Sequence, residues 1–425
     1  MKFHWFAEVT YPHLAPDFPK KHKSAWVDPP VSLMDPKKVG ETYKMFIRLM
    51  EHADRMGFDG LAVNEHHQTA FAMTPSPNLL AASLASNTQN AAILVIGDSL
   101  ALYNPPTRVA EEMAYLDCLS GGRLIAGFVF GTPMDSTFSY GTPPVELRER
   151  FHEARELIVR SWQEPEPFAF NGKYTKLRYV NPWPRPVQSP PPIWVPGSGS
   201  VETWDLVIDE DYCYGHLSFS GLQSAKPLVD GFWEYVDKRG GNTNPNRMAF
   251  TQICCVSETD EQAEADYYEA VKYFYTHNPV AAGFAAPPGY RTVESIKAEM
   301  ERGAGGISAE NRMKAAKGEM SFWEYDEKGY IIAGSPARVR ERIRELAKSI
   351  RVGQLIPTLH MGNLSEETAM KNTTLFGEQV IPYLRDLWED QEDRWTPQVS
   401  QQRVAAAARR VEPVGVGGAG AGGAA

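Results

Sequence analysis

Four cysteines in 425 residues (Cys118, Cys213, Cys254 and Cys255) share no CxxC spacing, which leaves no disulfide scaffold and no thiolate metal knuckle to expect. Cys254 and Cys255 stand side by side in an apolar run, so reduced core cysteines are expected. No apolar run reaches the roughly 20 residues that cross a bilayer. The opening MKFHWFAEVTYPH has no apolar stretch ahead of a small-residue cleavage site. A cytoplasmic protein with no membrane span is therefore expected. The net charge is −10 and there is no block of Lys and Arg, so a nucleic-acid partner is not expected. His-x-His is absent, which leaves a metal-dependent barrel hydrolase short of ligands. Outside the low-complexity tail neither GxGxxG nor a lysine-bearing phosphate loop occurs.

What is present is 43% hydrophobic and 23% charged residues, an ordinary globular composition. Short apolar runs at residues 2–8, 60–65, 92–101, 124–130, 193–196, 212–217, 249–256 and 354–360 read as strands buried on both faces. Helical patterns lie between them at 42–56, 77–86, 107–119, 144–163, 201–208, 224–238, 260–275 and 336–350, with a last helix at 365–388. Eight strand–helix units predict an α/β fold, a (β/α)8 TIM barrel spanning residues 1–392. Long insertions are expected at about 10–39, 165–192 and 278–332, where proline, glycine and mixed patterns interrupt the alternation. Residues 393–425, ending in VGVGGAGAGGAA, are of low complexity and expected to be a disordered tail.

A parallel barrel presents its chemistry at the carboxyl ends of its strands. Those ends carry Glu8, Glu65-His66-His67, Gly97-Asp98-Ser99, Phe130-Gly131, Gly197-Ser198-Gly199-Ser200, His216 and His360. The turn Gly197 to Ser200 opens a helical pattern, so its main-chain amides, two hydroxyls and the positive helix end suit a phosphate. An ordinary serine-capped turn fits the same residues. In Glu65-His66-His67 one imidazole can serve as acid or base at the mouth, and a structural histidine pair is the other reading.

From Ser76 to Gly131 the chain reads SPNLLAASLASNTQNAAILVIGDSLALYNPPTRVAEEMAYLDCLSGGRLIAGFVFG. With the preceding EHH, the later PWPRPVQSPPPIWVPGSGS, and the PPGY and GSP elements in order, this resembles the bacterial luciferase-like flavin monooxygenases. The resemblance runs from about Lys2 to Leu387 and fails over the first loop, much of 278–332 and the tail. It implies a TIM-like barrel binding FMN, usually as a homodimer. It implies, too, that the reduced cofactor comes from a separate NAD(P)H:flavin reductase and reacts with dioxygen to a flavin hydroperoxide, and the aromatics of the loops at 10–39 and 278–332 add the expectation of a small, apolar substrate. It further implies that His66 is the acid/base beside the flavin, that Gly97, Asp98 and Ser99 lie under the ring with a strained peptide, and that Gly197, Ser198, Gly199 and Ser200 hold the phosphate. Two positions depart from the pattern. Phe130 stands where many members carry an arginine near the phosphate, and Asp98 where small uncharged residues are common. Three alternatives remain: a deazaflavin-dependent oxidoreductase on the same fold, a metal-dependent barrel hydrolase, and a flavin-binding barrel without chemistry.

Overall fold

The computed structural model describes residues 1–301 and 306–411. Its strands are β1 (Lys2–Trp5), β2 (Gly60–Val63), β3 (Ala92–Ser99), β4 (Leu124–Val129), β5 (Phe168–Asn171), β6 (Lys176–Val180), β7 (Ile193–Gly197), β8 (Cys213–His216), β9 (Met248–Val256), β10 (Ile331–Gly334) and β11 (Gln354–Thr358). Eight of them pair in parallel in the order β9-β11-β1-β2-β3-β4-β7-β8, and β8 returns to β9 to close the barrel. All eight expected strands are there, in the expected sequence. Helices cover the outside, as the (β/α)8 reading requires.

Strand alternation separates two apolar layers. Phe6, Ala62, Leu94, Ile125, Trp194, Cys213, Ala249 and Ile356, one from each barrel strand or its immediate extension, fill the interior. Phe3, Leu61, Val95, Leu124, Val195, Tyr214, Phe250 and Leu355 face the helices. The pairing of β3 with β4 slips by one residue between Val95 and Asp98. Gly127 permits this bulge, because a Cβ there would lie 2.1 Å from the Val95 carbonyl oxygen.

The insertions hold more structure than their composition predicts. Asp35 caps a helix that begins at Pro36 and runs to Arg55, six residues ahead of the expected start, so the first insertion ends at Asp35. Within 165–192, β5 and β6 form an antiparallel hairpin. Within 278–332 lie several helices, and the end of that stretch is strand: β10 pairs with the second half of β9 while β8 takes the first half.

The tail differs from expectation over 393–411. Trp395 is buried under the interior layer, donating to the Asp211 carbonyl and accepting from Trp194 Nε1 at 2.8 Å. A helix follows at Gln398–Val411. One tryptophan that closes the amino end of the barrel orders this stretch in spite of its alanine-rich sequence. The rest of the predicted tail, 412–425, lies outside the described residues. Among those described, no helix is long and apolar enough to cross a membrane.

Candidate active site

Beyond the end of β2, Glu65, His66 and His67 separate into two hydrogen-bonded systems. His66 Nδ1 lies 2.8 Å from Asp135 Oδ2, and the other carboxylate oxygen accepts from the His67 amide at 2.8 Å. Thr132 Oγ1 also donates to Asp135 at 2.7 Å. Asp135 sits on a single π-helical turn, Met134–Ser139, that follows β4. Burial works against the ionised carboxylate, but His66, Thr132 and the His67 amide outweigh it and hold Asp135 below its ordinary value. Burial likewise opposes a charged His66, yet the Asp135 bond and the charges of Asp135, Glu8 and Glu65 raise it. An ionised Asp135 can only accept, so Nδ1 carries the hydrogen and Nε2 is the atom left to exchange a proton. Trp26, from the first insertion, packs edge-on against the ring at 4.9 Å.

The second system ties β2 to β3. His67 Nε2 meets Glu65 Oε1 at 2.7 Å, and the Ser99 amide donates to Glu65 Oε2 at 2.7 Å. This fixes the main chain just past the bulge. At Gly97 a Cβ would fall 2.3 Å from Val129 Cγ1, so a side chain there would displace Val129. The cis peptides among the described residues all precede proline and none lies in Gly97–Ser99, so the irregularity here is the bulge.

The Asp98 side chain is not at the mouth, contrary to its expected place beside a ring. It shares the register of outward-facing Phe128 and meets Asn78 Nδ2 at 3.1 Å and Tyr103 OH at 3.4 Å in the helical layer. Burial and the charge of Glu65 push this carboxyl well up. Stability from a group with a raised folded pKa is full below its unfolded value, near 4, and is lost as pH rises toward the folded value. Asp98→Asn keeps the shape and one acceptor oxygen for Asn78 and Tyr103, and removes the charge. It should stabilise the protein by about 1–2 kcal/mol at pH 7 and by nothing near pH 4. Thermal unfolding at the two pH values reads this, and an equal effect at both would refute it.

The turn after β7 opens a helix with unpaired main-chain amides, an arrangement that suits an anion. Gly199 has φ +110°, and Ser200 caps the helix Val201–Asp209 by accepting from the Thr203 amide. Among the described residues the amides of Ser198, Ser200 and Val201 have no hydrogen-bond partner. Sequence reasoning missed the cation that accompanies them. Arg148 lies 4.7 Å over the ring of Phe130, its Nη2 is 3.9 Å from Glu202 in the first turn of that helix, and its buried Nη1 has no partner. Phe130 thus supports an arginine from the following helix where the resemblance led one to expect an arginine at the strand end. Nothing in LRERF singled it out, since the relation exists only in space.

Residues 282–301 lie across this end of the barrel. Tyr290 OH donates to the Gly131 carbonyl at 2.9 Å, Phe284 packs on Phe138 at 4.6 Å, and Ser295 Oγ donates to Glu202 at 2.8 Å. His216 and His360, also at strand ends, are buried and pushed down to about 4 by desolvation, which keeps them neutral. Among the described residues no three His, Cys, Asp or Glu side chains converge as a metal site would require.

A family model described as luciferase-like monooxygenase matches residues 22–352. The chain is 26% identical over 351 residues to limonene 1,2-monooxygenase of Rhodococcus erythropolis, covering 79% of this chain and 80% of that protein. Among solved structures, the oxygenating constituent of 3,6-diketocamphane monooxygenase from Pseudomonas putida, in complex with FMN, aligns with TM-score 0.60 at 20% identity. That alignment covers 89% of this chain and 99% of the other. An F420-dependent secondary alcohol dehydrogenase aligns with TM-score 0.58 at 17% identity, over 91% and 99% of the two chains. At these identities the structural likenesses establish the barrel, and the family assignment rests on the match across most of the chain. The protein belongs to the luciferase-like monooxygenase family.

Proposed function

We propose that the protein is the oxygenase of a two-component FMN-dependent monooxygenase, oxygenating a small, apolar organic substrate with dioxygen. One observation carries the reading. A histidine tethered at Nδ1 and free at Nε2 shares the carboxyl end of the barrel with a cradle of open amides and an unpartnered guanidinium nitrogen. These residues suit FMN: the turn Gly197, Ser198, Gly199 and Ser200, through the open amides of Ser198, Ser200 and Val201, and the Arg148 side chain would hold its phosphate, and the main chain of Gly97, Asp98 and Ser99 would support its ring. Reduced FMN, when bound, supplies the electrons that activate dioxygen. His66 holds or delivers a proton at Nε2, oriented by Asp135. Trp26 and residues 282–301 keep water from the mouth. A separate NAD(P)H:flavin reductase would supply the reduced cofactor, as the name of the diketocamphane relative's oxygenating constituent suggests, and a cytoplasmic location goes with that supply.

The likeness to an F420-dependent dehydrogenase supports a second reading, hydride transfer with a deazaflavin. Fluorescence titration with oxidised FMN, reduced FMN and a deazaflavin separates the two. FMN binding at Kd on the order of micromolar or below is expected. Binding of the deazaflavin alone would favour the second reading and end the first.

A homodimer is proposed through the helices Pro77–Asn87 and Thr107–Ser120, whose outer faces expose Leu79 at 74%, Tyr115 at 55% and Leu119 at 40%. Sedimentation should give a dimer, and Leu79→Asp combined with Tyr115→Asp should give a monomer. A wild-type monomer at tens of micromolar would remove this surface from consideration.

A further inference from the structure

The inner wall of the barrel carries three polar groups that take no direct part in the proposed chemistry. The alternation that points Phe6 inward points Glu8 inward too, at 4% exposure. Asn64 follows inward Ala62 by two residues and donates from Nδ2 to Glu8 Oε2 at 2.7 Å. Thr74 Oγ1 donates to Asn64 Oδ1 at 3.1 Å, which keeps the amide turned toward Glu8. Glu8 Oε1 has no hydrogen-bond partner among the described residues. Thr358 bridges to Phe6 and continues the inward series of Ile356, and Thr251 continues that of Ala249. Both hydroxyls are buried and without a partner. Thr251, Thr358 and Glu8 therefore climb the wall diagonally across β9, β11 and β1, which are adjacent strands.

Buried polar atoms are seldom left unmet, and two such hydroxyls with an open carboxylate oxygen along one diagonal point to a ligand. Aromatic rings stand near the mouth: Phe219, packed on the interior layer, meets Phe274 at 5.0 Å, Phe274 meets Phe71 at 5.1 Å, and Phe71 stacks on Trp26 at 4.6 Å. Burial raises the Glu8 carboxyl, against the pull of His66 and Asn64. An alkyl group would leave all three oxygens unmet, and a carbonyl would use a hydroxyl but leave the carboxyl desolvated. A protonated amine set against Glu8 neutralises the carboxylate, can reach Thr358 one step down the diagonal with a second N–H, and suits aromatic faces.

We infer that this row recognises a protonated amine on an otherwise apolar substrate, with Glu8 as the specificity-determining residue. The inference rests on the oxygenase reading only in treating the barrel mouth as the place where substrate enters. The test is calorimetric titration of the full chain, without flavin, using benzylammonium and benzyl alcohol as probes of matched shape. Benzylammonium should bind about 10-fold or more tightly than the alcohol, the range of a charge-assisted hydrogen bond. Glu8→Gln should abolish that preference, and Thr358→Val, which keeps the shape should the first variant fail to fold, should reduce it. Equal affinity for the two probes, no amine binding, or a preference untouched in a folded variant would overturn the inference. Flavin binding is measured separately, so its failure would count against the cofactor reading and leave the amine result to stand or fall alone.

Discussion

Replacing Asp135 by asparagine is expected to lower turnover on an accepted substrate by about 10²–10⁴-fold, the range for a mispositioned general acid–base group. Asp135 accepts three hydrogen bonds, from His66 Nδ1, the His67 amide and Thr132. Asparagine keeps the shape, but its amide nitrogen can only donate. Directed at His66, it would favour the tautomer with hydrogen on Nε2 and leave the mouth without a proton acceptor there. The variant also removes the charge that raises His66, so the ring should titrate lower and the corresponding limb of the pH–rate curve should move to lower pH. The ion pair has a stability window of its own. Asp135, held low, keeps its contribution as pH falls until its depressed pKa is passed. His66, held high, gives its full contribution below its unfolded value near 6.5 and loses it as pH rises through the folded one. Asp135→Asn should thus cost most stability between those limits. An NMR titration of the His66 ring distinguishes positioning from mere packing. An unshifted ring in a folded, slow variant would show that Asp135 does not act through His66.

The barrel was legible because a strand buried on both faces leaves a continuous apolar signature, and all eight such runs became strands. β10 was not, since four residues at the end of a long insertion carry too little pattern to stand out. Trp395 escaped for the opposite reason: one large side chain in a polar, then alanine-rich stretch orders its neighbours only after the barrel offers a floor to fill. In the site, what depends on a local turn was readable and what depends on convergence was not. His66 and the Gly197–Ser200 turn announce themselves through strand ends and a helix start. Asp135 lies 69 residues from His66 in sequence, on a π-helical turn with no sequence signature. Asp98 was misplaced because the bulge adds a residue to β3 and reverses which face the following side chain takes, a shift that period-two counting cannot see.

Arg148→Ala should weaken FMN binding by about 10–100-fold, from the loss of a charge-assisted hydrogen bond of about 1.5–3 kcal/mol. Riboflavin, which has the ring but no phosphate, should bind wild type and variant alike. The guanidinium is held rather than free. The Phe130 ring supports it from one side, Glu202 stands 3.9 Å from Nη2, and Nη1 is buried with nothing to donate to. A buried donor without an acceptor is costly, and an anion at the adjacent helix start removes that cost while meeting the open amides. Arg148→Lys should restore only part of the affinity, since an ammonium cannot reproduce the planar stacking or the paired donors. Glu202 sharpens the expectation. Burial would raise its carboxyl, yet Thr292, its own amide, Ser295 and Arg148 together hold it low, so it stays ionised beside the cradle. The open amides alone must then attract phosphate against a neighbouring negative charge, and without Arg148 the balance shifts toward repulsion. The affinity ratio of FMN to riboflavin is the quantity to measure. A ratio unchanged by Arg148→Ala would place the phosphate away from this cradle.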